Sequence, residues 1–144
     1  MNARQAETVE KLLVAAAEEL REVGHEAVTI RNVARRAGVS PATAYTYLAS
    51  RNHLFAELFW RALVEDPGVV PTGDNPVERV QSVTRHLATL MEGKPELAAA
   101  VTTALLGSDP DVERLRLRIG TEFVRRFSAA ISLTISILQT PRNG

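Results

Sequence analysis

Cysteine is absent, so the chain has no disulfide framework, no thiolate metal site and no cysteine nucleophile, a composition that agrees with a reducing compartment. No apolar run approaches the length that spans a bilayer, and the opening MNARQAETVEKLL lacks the hydrophobic stretch of a secretory leader. A cytoplasmic location, with no membrane partner, is the resulting expectation. Catalytic signatures are missing as well: there is no nucleophile elbow, no phosphate-cradling glycine loop and no HExxH. His25, His53 and His86 stand on separate predicted elements without acidic ligands at metal spacing, and His53 reads as a plain surface histidine. No catalytic residue, metal or cofactor is expected.

Acid is missing from one stretch in particular. Between Ala27 and Ala56 there are four arginines (Arg31, Arg35, Arg36 and Arg51) and no Asp or Glu, which leaves 13 basic and 17 acidic residues for the rest of a chain whose formal charge is zero. Partners respond to where charge lies more than to its total, and a one-signed basic segment is suited to a polyanion. With 45% hydrophobic and 24% charged residues over 144 positions, the chain is able to bury a core.

The apolar spacing is helical throughout. Val9, Leu12, Leu13, Ala16, Ala17, Leu20 and Val23 form one face of a first helix, closed by Gly24. Thr29 is placed to cap a second, short helix whose apolar side is Ile30, Val33, Ala34 and Ala37, and Gly38 ends it. Ser40-Pro41 then supplies a cap with proline at the first helical position, opening a third helix that runs to about Leu48. An amphipathic helix followed by two short ones about a glycine turn predicts a three-helix head with a helix-turn-helix, residues 1–52.

Ser50 caps a fourth helix whose stripe of Leu54, Phe55, Leu58, Phe59, Ala62 and Leu63, widened by Trp60 and Val64, is broad enough to pack between head and body. The segment DPGVVPTGDNP reads as a loop. Asn75, Pro76 and Glu78 make a capping-box start for a fifth helix with the face Val77, Val80, Val83, Leu87, Leu90 and Met91. Pro95 to Gly107 is an alanine-rich sixth. Asp109-Pro110 begins a seventh whose stripe is Val112, Leu115, Ile119, Phe123, Phe127, Ile131 and Ile135. The expectation is an all-α protein, with residues 53–144 forming a connecting helix and a short helical body.

The run TIRNVARRAGVSPATAYTYLASRNHLF resembles the helix-turn-helix of the TetR family of bacterial transcriptional regulators: Thr at a helix start, Ala–x3–Gly-Val-Ser in the turn, Thr and Tyr in the next helix, and Ser with a basic residue before Leu-Phe. The resemblance implies that the third helix enters the major groove of duplex DNA. It implies base or sugar contacts at Arg31, Pro41, Ala42, Thr43, Thr46 and Tyr47, and phosphate contacts at Thr29, Thr43, Tyr47 and Arg51. It also implies a body that binds a small ligand and a dimer that grips a palindromic operator. Ala44 stands where the family has a larger aliphatic residue, and Arg51-Asn52 where it has Lys-Glu. Gly144 falls near where the family's last two helices, the bulk of its dimer bundle, would begin, so the chain reads as a member short at its C-terminus.

Some of this stands on the residues alone. Helix starts at Thr29 and Ser40 direct free amides outward, as phosphate contacts require. Thr43, Thr46 and Tyr47 share one face at i, i+3 and i+4. Arg31 has three competing roles: a bidentate guanine contact, a phosphate clamp, or an ion pair with Glu26. Arg31 and Arg51 are expected to face the DNA and Arg35 and Arg36 to be carried away from it. Tyr45, from its spacing to Val39, Ala42 and Leu48, is expected partly inward, its ring against the first helix and its hydroxyl reaching the surface.

In the body, Leu87, Leu90, Met91, Leu97, Val101, Leu105, Ile119, Phe123 and Phe127 would line an apolar interior, the candidate site for a small apolar ligand. The functional expectation is a DNA-binding repressor released by such a ligand, homodimeric through the seventh helix, whose stripe has nothing later in the chain to cover it. The alternative is a helical interaction module that pairs with a longer relative and does not itself hold DNA tightly. A small enzyme is the remote third.

Overall fold

The computed structural model describes residues 1–138, with side chains to residue 132. Among them are α1 (Ala3–Val23), α2 (Ile30–Ala37), α3 (Pro41–Tyr47), α4 (Arg51–Glu65), α5 (Pro76–Glu92), α6 (Pro95–Leu105) and α7 (Pro110–Leu138), with no strand. The expected all-α architecture is therefore present. The part of the seventh-helix stripe at Ile135 lies outside the described side chains.

The helix ends follow local chemistry. Thr29, Ser40, Ser50 and Asn75 each accept, through the side-chain oxygen, the amide three residues on, which satisfies one orphan donor per helix. Asn2 and Gln5 form a reciprocal capping box at the start of α1. At α5 the box is displaced by one residue: the Glu78 carboxylate accepts from the amide of Asp74 rather than from that of Asn75. Asp109 turns its carboxylate elsewhere, accepting from the Ser50 hydroxyl at 2.6 Å, so the start of α7 is tied to the start of α4.

One apolar cluster joins Leu12, Ala16 and Leu20 of α1, Val33 and Ala34 of α2, Ala44 of α3, Leu54 and Leu58 of α4, and Leu97, Ala100 and Ala104 of α6. The core thus runs without a break from the first three helices into the body, and α4 is its shared wall. Leu54, Phe55, Leu58, Phe59, Ala62 and Leu63 of α4 are all buried, Trp60 is half-buried, and Val64, expected to widen the stripe, is 51% exposed. A second cluster holds Phe59 and Leu63 against Ile119, with Phe123 meeting Phe59 edge-on at 6.3 Å between ring centres.

Long polar side chains fasten the body. Arg79, 4% exposed, donates to the carbonyls of Ala130 and Gly73. Arg126 bonds Asp66, Glu122 and the Leu63 carbonyl. Val77, expected on the inner face of α5, is 64% exposed, because burying Arg79 two positions on turns that first turn the other way. No helix among the described residues is long and apolar enough to cross a membrane.

Candidate nucleic-acid interface

α2 and α3 meet at Gly38, whose left-handed backbone (φ 69°, ψ 29°) closes α2 and leaves only Val39 and Ser40 before α3. Val39 donates its amide back to Ala34 at 2.9 Å, fixing the angle between the two helices. In α3 the inner face is Ala44 with Tyr47, continued by Leu48 at the cap. Everything else on α3 looks outward: Pro41, Ala42, Thr43, Tyr45 and Thr46 are exposed.

The tyrosine expectation is overturned here. Tyr45 is 50% exposed, whereas Tyr47 is half-buried against the core. The count that placed Tyr45 partly inward used Val39 and Leu48 as if they belonged to the helix. The helix covers only Pro41–Tyr47, and Leu48 has left it at φ −127°. The residue that spacing missed on the outer face is Tyr45, and the signal that could have found it was Ala44, the small inward residue next to it.

Hydroxyls on the face are already oriented. Ser40 Oγ accepts the Thr43 amide at 3.2 Å and donates to Thr43 Oγ1 at 2.9 Å, and Thr46 Oγ1 donates to the carbonyl of Ala42 at 3.1 Å. Each oxygen keeps an acceptor lone pair that these bonds do not use. Thr29 Oγ1 takes the Asn32 amide at 3.1 Å.

The four arginines divide. Arg36 bonds Glu19 at 2.8 Å and Glu22, both on α1, and these two hydrogen bonds, Glu22 first, hold its guanidinium above the ordinary arginine range. Its charge is spent on fastening α2 to α1. Arg51 donates to the carbonyls of His25 and Glu26 at 2.5 and 3.3 Å and lies 5.8 Å from the centre of the Phe55 ring. It ties the α1–α2 connection to α4, a role the sequence did not disclose. Arg31 and Arg35 are exposed and make no ion pair among the described residues, so the Arg31–Glu26 pair is not formed.

His53 is a further correction. It is 6% exposed, not a surface histidine: Nδ1 accepts the Ala49 amide at 3.0 Å and Nε2 faces Glu57 at 3.2 Å. Its position, one turn inside α4, puts it under the joint between α3 and α4.

Of the residues expected to line a ligand interior, Leu87, Met91, Val101, Leu105 and Phe123 gather around the Phe59–Ile119 cluster, half-buried; Leu90 and Phe127 are half-buried nearby in the chain. A cavity of about 640 Å³ lies elsewhere, between α1, α4 and the α5–α6 link, and Leu97 is the one member of that set that lines it.

Comparison with known proteins bears on this geometry. The family described as "Bacterial regulatory proteins, tetR family" matches residues 12–58, the span from the inner face of α1 to the middle of α4. An uncharacterized HTH-type transcriptional regulator of Mycobacterium tuberculosis is 46% identical over 132 residues, covering 90% of this chain and 62% of that protein. The HTH-type transcriptional repressor KstR of Rhodococcus jostii is 33% identical over 113 residues, covering 77% of this chain and 53% of the repressor. This chain therefore spans less than two thirds of the length of these relatives. Among solved structures, a TetR transcriptional regulator from Rhodococcus sp. RHA1 superposes with a TM-score of 0.72 at 25% identity, over 88% of this chain and 69% of that one. On the match of residues 12–58 and the likeness to these relatives, the chain belongs to the tetR family of bacterial regulatory proteins.

Proposed function

We propose that the chain is a sequence-specific duplex-DNA-binding transcriptional regulator, a repressor that acts as a homodimer on a palindromic operator. The observation that carries it is the outer face of α3. Pro41, Ala42, Thr43, Tyr45 and Thr46 stand exposed together, in a segment with no acid, beside the uncommitted Arg31 at the start of α2. A short helix offering hydroxyls and small side chains suits the major groove, where edges of bases are read at close approach. Thr29, Ser40 and Arg51 then position the head against phosphates, Arg51 less freely because its guanidinium already serves two carbonyls.

Two heads must be held together for a palindrome, and an exposed apolar line on α7 supports a partner surface there: Leu117 (73% exposed), Val124 (66%) and Ile131 (50%) recur every seven residues. The stripe expected from the sequence is buried within this chain at Val112, Leu115 and Ile119 and half-buried at Phe123 and Phe127, and it shares Ile131 with the exposed line. The same line also fits the second reading, pairing with a longer relative. Release by an apolar ligand held among Leu87, Leu90, Met91, Leu97, Val101, Leu105, Phe123 and Phe127 completes the proposal.

The test is selection of bound sequences from random duplex DNA, with Arg31→Ala alongside. A palindromic consensus is expected, relaxed at one position of each half-site in Arg31→Ala. Failure of a folded chain to enrich any sequence would favour the interaction module.

A further inference from the structure

The cavity at the junction of α1, α4 and the α5–α6 link belongs to neither the α3 face nor the apolar cluster between α5, α6 and α7. Its walls are mainly apolar: Leu13, Val14 and Ala17 from one face of α1, Leu58 and Ala62 from the facing side of α4, and Pro95 where α6 begins. At about 640 Å³ it has the size of a small-molecule site rather than of a packing defect, which would hold one or two waters. Val14, 44% exposed, marks an open side through which a ligand can enter.

The charged residues at its margin are unequal in what they have left to offer. Arg61 is occupied: both Glu10 oxygens lie 2.5 Å from its guanidinium, and Glu65 is 3.1 Å away. Arg21 and Lys94 make no ion pair among the described residues, and the only other carboxylate on the lining, that of Glu96, lies against Gly24 at the end of α1. The margin as a whole is balanced, Arg21, Arg61 and Lys94 against Glu10, Glu65 and Glu96, but Arg61 takes up two of those acids, so the cationic edge is local, at Arg21 and Lys94. An apolar cleft with a cationic edge is complementary to a molecule with the opposite arrangement, a hydrophobic body ending in an anion.

We propose that this cleft binds a small amphipathic anion, its apolar part against Leu13, Ala17 and Leu58 and its carboxylate or equivalent group at Arg21 and Lys94. Because α1 belongs to the head and Lys94 and Pro95 to the body, an occupant touches both at once. Binding there differs from the apolar-ligand site of the functional proposal in place and in ligand charge, and it is measurable without DNA.

The experiment is isothermal titration of the whole chain with dodecanoate below its micelle concentration, with dodecanol and dodecyltrimethylammonium as comparison probes. Dodecanoate is expected to bind at one site, more tightly than either comparison probe. Val14→Trp, which fills the cleft from its exposed side, should remove binding. The pair Arg21→Glu and Lys94→Glu, both on exposed side chains, should weaken it at least about tenfold while leaving the melting temperature in place. Val101→Trp, in the other apolar cluster, should leave it unchanged. Equal affinity for all three probes, or retention of dodecanoate affinity by both the Val14→Trp and the charge-reversed proteins, would overturn the assignment, as would loss of binding in Val101→Trp alone.

Discussion

Arg126 of α7 and Asp66 at the end of α4 meet at 2.7 Å with both side chains only 8% exposed. Asp66 also faces His86 of α5 at 2.8 Å, and Arg126 reaches Glu122 and the Leu63 carbonyl, so a single polar node pins three helices of the body. Removing one member strands the other charge. Asp66→Ala should cost about 3–5 kcal/mol in urea unfolding. The double variant Asp66→Ala/Arg126→Met should cost clearly less than the sum of the single changes, because neither charge is then left alone. Strict additivity would show that the pair is not coupled.

The same node makes stability depend on acid. Hydrogen bonds from Arg125, against the opposing effect of burial, and then from Arg126 hold the Glu122 carboxyl down at about 2. Burial works against Asp66 as well, but hydrogen bonds from His86 and Arg126 outweigh it and keep Asp66 below its usual value. Carboxylates depressed in the folded state contribute stability above their unfolded pKa, and that contribution is lost as pH falls through the folded one. The urea midpoint should therefore fall from pH 4.5, the ordinary Glu value, toward 2. Glu122→Gln should be less stable at neutral pH and lose less over that interval. Parallel curves for the two proteins would contradict the assignment.

Arg31 and Arg36 lie five residues apart and have opposite engagements, one unpaired among the described residues and one bonded to Glu19 and Glu22. If the head binds duplex DNA as proposed, replacing Arg31 by Ala should reduce the slope of log K against log salt by about 0.9, the value of one phosphate contact, or relax base choice at one position if it reads a guanine. Arg36→Ala should lower the melting temperature and leave the slope alone. A shared loss of slope would mean that Arg36 leaves its glutamates on binding.

Gly38 separates backbone strain from crowding. A Cβ at this position would meet nothing within 4 Å, so the cost of replacing it comes from the positive φ of 69° alone. Gly38→Ala should destabilise by about 1–2 kcal/mol and Gly38→Asn by less, since Asn tolerates the left-handed region. Equal stabilities in guanidinium unfolding would place the strain elsewhere.

What could be read in advance follows from the range of the interaction concerned. The caps at Thr29, Ser40, Ser50 and Asn75, the turn at Gly38 and the buried stripe of α4 are set by residues within one or two turns of each other, and sequence spacing resolves them. Arg79 and Arg126 are buried because carbonyls and carboxylates arrive from elsewhere in the chain; Ala130 is 51 residues from Arg79 and Asp66 is 60 from Arg126. Local periodicity sees only a polar residue and assigns it to the surface. The cleft beside Arg21 and Lys94 is likewise a product of how α1 crosses α4 and the α5–α6 link.

Tyr45 and Tyr47 carry the comparison that bears most directly on function. They differ by about 200° around a helix of 3.6 residues per turn, which sends Tyr45 outward and Tyr47 toward the core. Under the proposed docking, the Tyr45 hydroxyl is free to donate to a phosphate or base, an interaction with a charged acceptor worth about 1.5–3 kcal/mol. Tyr45→Phe should therefore weaken binding to the selected operator by about tenfold or more in fluorescence anisotropy, with the melting curve unchanged. Tyr47→Ala should lower the melting temperature, and any loss of affinity should shrink when binding is measured well below that transition. Should Tyr45→Phe bind as wild type while Tyr47→Phe loses affinity without losing stability, the face of α3 presented to DNA would be the one containing Tyr47, and the head would have to dock rotated from the orientation proposed here.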